Sequence, residues 1–118
     1  MTVLFWVVSL ALVIWEVVAG IGKIVGQKMA LDWMNMIGVS RPFMSAFGGL
    51  EVGAIGVILS SLFSQGSVTD QLVPYAVGLM IVLKVVELLL FYRSKAPSAA
   101  YPGPIVVMIL TVAFYFLR

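Results

Sequence analysis

Neither cysteine nor histidine occurs anywhere in the 118 residues. The first absence removes disulfides, thiolate metal sites and cysteine nucleophiles. The second removes imidazole metal ligands, the usual haem ligand and the Ser-His-Asp triad. No metal site and no resident cofactor is therefore expected. Charge is scarce as well: 10% of the residues are charged, against about a quarter in an ordinary soluble domain. A net charge of +2 with no basic stripe excludes nucleic acid as a partner. What is there instead is hydrocarbon, with 63% hydrophobic residues and a mean hydropathy of +1.17. A domain this small leaves much of its surface wet and cannot hide so much apolar side chain. The composition points to an integral membrane protein, with the lipid bilayer as its first partner.

The expected fold class is an all-α membrane protein: a four-transmembrane-helix bundle, with a short interfacial helix between helices 1 and 2, occupying residues 1–118 as one domain. A spanning helix needs about 20 apolar residues, and spans are expected at about 3–25, 43–63, 72–92 and 102–117. The last is short and borrows its first turn from the segment ending at Pro102 and Pro104, residues suited to a helix start. Between the first two spans, Asp32 can cap or start a short helix that puts Trp33, Met36 and Ile37 on one side and ends at Gly38. Ser64–Gln71 reads as a polar turn and Arg93–Gly103 as a proline-containing loop. The start of the chain lacks the basic segment of a cleavable signal peptide. Lys28, Arg41, Arg93 and Lys95, with Lys23 at the edge, fall on one side and only Arg118 on the other. By the positive-inside rule both termini lie outside the cytoplasm, and a bacterial inner membrane is the expected location.

Five of the charged side chains fall inside the expected spans: Glu16, Lys23, Glu51, Lys84 and Glu87. Each costs several kcal/mol in hydrocarbon unless paired or hydrated, so each is a functional candidate. Helical rise puts Glu16 roughly 13 Å, Glu51 and Lys84 roughly 12 Å and Glu87 roughly 8 Å from the same membrane face, which is one layer. On the first span Ser9, Glu16, Gly20 and Lys23 share a stripe. Lys84 and Glu87 are i,i+3 neighbours and can pair. Gly49, Gly53, Gly56 and Ser60 form a small-residue stripe of the kind that lets helices touch. Glu51 lies about 200° around from Gly49 and is expected to face away from that contact. Three carboxyls against two lysines leave one carboxylate unmatched, so one carboxyl is expected to keep its proton and form an acid–base pair with its neighbour. The plainer alternative is a set of interhelical ion pairs that only specify packing. The aromatics, Trp15 and Trp33 included, sit where interfacial belts and apolar packing would put them.

Ala19-Gly20-Ile21-Gly22-Lys23-Ile24 resembles the "sGxxKl" motif that closes the first helix of DoxX-like membrane proteins. Met36-Ile37-Gly38-Val39-Ser40 and Gly48-Gly49-Leu50-Glu51-Val52-Gly53-Ala54-Ile55-Gly56 are similar to that family's next two motifs, and the four-span length is alike. The resemblance makes Lys23 and Glu51 the characteristic polar positions and implies a link to membrane oxidoreductase complexes and quinones. The chain departs from many members in lacking a histidine after the third span and in carrying Lys84 and Glu87 within it.

Two functions are expected ahead of others. The first is a metal-free acid–base enzyme (isomerase, cyclase or epoxide-opening type) acting on a lipophilic small molecule. Glu16, Glu51, Lys84 and Glu87 would be its catalytic set, with Lys23, Ser9, Gly20 and Trp15 against the substrate. The alternative is a quinone-binding subunit that needs a redox partner carrying the electron-transfer centre. A proton-coupled small exporter and a structural subunit, alone or as a homo-oligomer, come after.

Overall fold

With no water to bond in a hydrocarbon setting, long apolar runs close their backbone hydrogen bonds internally as helices. The computed structural model describes residues 3–63 and 68–118 and contains no strand among them. Its helices are α1 (Val3–Val25), α2 (Lys28–Ile37), α3 (Arg41–Phe63), α4 (Val68–Arg93) and α5 (Pro102–Leu117), with a 3-10 turn at Ser98–Ala100. α1, α3 and the Gln71–Arg93 part of α4 are long and apolar enough to cross a membrane; α5, at 16 residues, is apolar but shorter.

α1 and α5 have the expected bounds, and the other helices start earlier. α3 begins at Arg41 because Ser40 caps it: the Ser40 hydroxyl accepts from the Phe43 N–H at 3.3 Å, and Pro42 sits in the first turn where its missing N–H costs nothing. α4 begins at Val68 and runs through Pro74, so the segment from 68 to 71 is helical rather than turn; the rest of that expected loop, 64–67, lies outside the described residues. α2 begins at Lys28, not at Asp32. Gly26 is in the left-handed region (φ 79°), and both Gly26 N–H and Gln27 N–H bond to the Gly22 carbonyl. That Schellman closure ends α1 and turns the chain straight into α2. Gly38 (φ 71°) closes α2 in the same way on the Met34 carbonyl, as expected.

The four longer helices pack in a closed ring, α1 on α3, α3 on α4, α4 on α5 and α5 back on α1, while α2 rests on α1 and α4. The ring has two unlike halves. One is an apolar plug in which Phe5, Leu12, Ile58, Met80, Val107 and Phe114 are buried together. The other lies where α1 and α4 end and α3 begins, and it holds the charges.

The face that α3 turns inward is not the one with the glycine stripe, whose sequence leaves packing within or between chains open. Gly49, Gly53 and Gly56 have open space where a Cβ would stand, so their stripe faces out of the fold. The close approach is made one residue earlier, by Gly48. A Cβ there would meet the Gly20 carbonyl at 2.6 Å and the Lys23 Cβ at 2.8 Å; one on Gly20 would meet Val52 at 2.6 Å. One residue is 100° of rotation. Burial of Met44, Phe47, Ile55 and Ile58 fixes that rotation, and it puts Glu51 inside the fold, on the side away from the Gly49 stripe as expected and next to the Gly48 contact.

Candidate functional site

Gly48 and Glu51 are i,i+3 on α3, so the helix that touches α1 closely at Gly20 also delivers a carboxylate beside Lys23. Lys23 Nζ donates to Glu51 Oε1 at 2.6 Å. The other Glu51 oxygen accepts from Lys84 Nζ at 2.5 Å. Lys84 reaches two further carboxylates, Glu16 Oε1 at 2.9 Å and Glu87 Oε1 at 3.4 Å. All five groups are buried, Glu16 and Glu51 completely. Three helices thus converge on one ammonium, and Lys23 extends the chain of contacts to a second.

Glu16 differs from its neighbours. Its contact with Lys84 is off the line of a hydrogen bond, and neither of its oxygens has a hydrogen-bond partner among the described residues. Its carboxyl also faces that of Glu51, and two carboxyls can bond to each other only through a proton. Three carboxyls and two ammoniums form a neutral set when one such proton is present. Unpaired charge is what burial penalises most.

Trp33 joins the cluster, although its sequence context suggested only an interfacial aromatic. Its Nε1 donates to Glu87 Oε2 at 2.8 Å. Lys23 Nζ lies 4.6 Å from the Trp33 ring centre and 4.7 Å from that of Phe47, so its ammonium rests against both rings. α2 is held in place to allow this, because Arg93 at the end of α4 and Ser94 just after it both donate to the Ile37 carbonyl at 3.1 Å. The available signal was the spacing of Met29, Ala30, Trp33 and Ile37, which is one face of a helix, but nothing local says that this face folds back onto α4.

A cleft of about 530 Å³ runs between α1 and α2 and reaches the cluster. Ile14, Trp15, Val18 and Ala19 form one wall, Met29, Ala30 and Trp33 the other, and Lys23, Gln27 and Glu87 supply its polar groups. That volume and mix, mostly apolar with a few convergent polar groups, suits a small-molecule site. Trp15 is half exposed on its wall. Gly20 lies in the α1–α3 contact and gives room to the cluster without lining the cleft. Ser9 stands apart in the apolar half, where its hydroxyl donates to the Phe5 carbonyl at 2.7 Å. Lys84, Glu16 and Glu51 lie behind Lys23 and Glu87 as seen from the cleft.

Among the described residues no group of acidic side chains is arranged to hold a metal ion. No family model, curated protein or solved structure matches the chain.

Proposed function

We propose that the protein is a DoxX-like four-span integral membrane protein in which α2 lies at the membrane surface, and that the charged cluster is an acid–base site for a lipophilic small molecule held in the cleft. The observation that carries this reading is the junction of the two features. An apolar cleft ends on Lys23 and Glu87, and those two residues connect to the Glu16–Glu51 pair, Lys23 directly at Glu51 and Glu87 through Lys84. A cluster serving only to hold helices together gains nothing from an opening of that size at its edge.

Within this reading Glu87 and Lys23 meet the substrate. The Glu16–Glu51 pair exchanges a proton with it through them, and Lys84 holds the charges in register as the proton moves. Isomerisation, cyclisation or epoxide opening needs only proton transfer and a stabilised oxyanion, both available from carboxyl and ammonium groups.

A quinone-binding subunit is the second reading, favoured by the resemblance to DoxX-like proteins and by the two tryptophans that face the cleft. It requires a partner subunit to move electrons. An exporter fits less well, because the apolar plug of Phe5, Leu12, Ile58, Met80 and Phe114 fills the half of the ring opposite the charges.

The test is extraction of gently purified protein with organic solvent and mass spectrometry of what is released. A near-stoichiometric non-quinone lipophile, lost in Glu87→Gln and Lys23→Met, supports the acid–base enzyme. A quinone, together with a co-purifying redox protein, moves the assignment to the subunit reading. Recovery of phospholipid alone from wild type and variants overturns both.

A further inference from the structure

The cleft has a polar end and an apolar end, and this names a class of ligand for the site proposed above. Its α1 wall from Ile14 to Gly22 is a single helical face that ends at Lys23. By helical rise Ile14 stands roughly 13 Å from Lys23 along α1. An occupant lying along this face meets hydrocarbon over most of its length and hydrogen-bonding groups at one end only.

Those groups are of both kinds. The Lys23 ammonium has three protons and, among the described residues, gives one hydrogen bond, to Glu51. Glu87 Oε2 takes one hydrogen bond from Trp33 Nε1 and keeps a further lone pair. A head group carrying a hydroxyl beside a carbonyl satisfies both, its carbonyl accepting from Lys23 and its hydroxyl donating to Glu87. A carboxylate or phosphate head would set its charge against Glu87 and leave an otherwise neutral buried cluster with excess negative charge. An alkylammonium would be set against Lys23, whose own charge already occupies the faces of Trp33 and Phe47.

We infer that the cleft takes a neutral single-chain amphiphile, with a hydroxyl-carbonyl head at Lys23 and Glu87 and its tail along α1 toward Ile14. This rests on the cleft being a lipophile site, and the two claims fail differently. The experiment uses three probes sharing one brominated hydrocarbon chain: a monoacylglycerol, the fatty acid at a pH where it is ionised, and the primary amine. Binding is read as bromine quenching of tryptophan fluorescence in detergent-solubilised Trp6→Phe protein, which leaves Trp15 and Trp33, both on the cleft, as reporters.

The expected result is saturable quenching by the monoacylglycerol at a Kd at least tenfold below those of the fatty acid and the amine. Glu87→Gln should narrow the gap to the fatty acid, because it removes the opposing charge. Lys23→Met should weaken the monoacylglycerol. Equal or tighter binding of the fatty acid or the amine to the protein with its native cleft overturns the head-group assignment and leaves the lipophile site standing. Quenching by all three that rises without saturation overturns both.

Discussion

Lys84 and Glu16 are neighbours in one buried cluster, yet they should respond oppositely to substitution. Lys84 is the ammonium that three carboxyls share. Lys84→Met leaves those carboxyls facing one another without it, and stripping one partner from a buried ionic network costs about 3–5 kcal/mol. A large drop in thermal unfolding temperature in detergent is expected. Glu16 accepts no hydrogen bond among the described residues, so Glu16→Gln removes little that holds the fold, and its stability should stay within about 1 kcal/mol of wild type. Loss of turnover or of bound lipophile in Glu16→Gln, with folding intact, is the expected signature of a proton-transfer role. Equal destabilisation by the two substitutions, with binding unaffected in Glu16→Gln, would mark the cluster as packing alone. Trp33→Phe keeps the aromatic face under Lys23 but removes the donor to Glu87. A cost of about 1 kcal/mol and a freer Glu87, seen as weaker discrimination among cleft ligands, should follow.

Three helix ends close on a left-handed residue followed by a 6→1 hydrogen bond, and one of them lacks the residue that suits it. α1 and α2 close on Gly26 and Gly38, but α4 closes on Lys95, whose φ is 54° while Ala96 N–H bonds to the Phe91 carbonyl and Lys95 N–H to that of Tyr92. An L-residue with a side chain pays roughly 1–2 kcal/mol to sit in this region. Lys95→Gly, at an exposed position, should therefore raise stability by up to about 1 kcal/mol, read as a higher unfolding midpoint. Gly48→Ala should do the reverse, because its Cβ would strike backbone and part α1 from α3 at the Lys23–Glu51 contact. These elements also mark where sequence reading stops. The bounds of α1 and α5 were legible because an unbroken apolar run and a proline at the helix start announce them. The start of α3 was not, since Arg41 and Pro42 are not apolar and the cap is a single serine hydroxyl. Depth along each helix is simple arithmetic, which is why Glu16, Glu51, Lys84 and Glu87 could be put in one layer. Rotation of α3 is not local: Gly48 and Gly49 differ by 100°, and only the sum of its burial decides between them.

At the scale of the whole molecule the chain is asymmetric end to end, and the asymmetry makes a statement about orientation. Lys23, Lys28, Arg41, Arg93 and Lys95 all lie at the end where α1 and α4 finish and α3 begins, while Arg118 closes α5 at the other. The cleft and the charged cluster share the first end, and the apolar plug occupies the second. Positive residues flanking membrane spans are retained on the cytoplasmic side, so the proposed site should open toward the cytoplasmic half of the bilayer, with both termini on the far side. A reporter enzyme that is active only outside the cytoplasm should give signal when fused after Arg118 and none when inserted at Ser94–Ala96. The inverse pattern would turn the molecule over and place the cleft in the outer half. Replacing Lys28, Arg41 and Lys95 by glutamine, with Arg93 kept because it anchors α2, should weaken or mix the pattern while leaving the Lys84-centred cluster untouched, since none of the three contacts its carboxyls. On this expectation the loop charges would set the orientation, whereas the buried charges, balanced among themselves once one carboxyl keeps its proton, would contribute little to it.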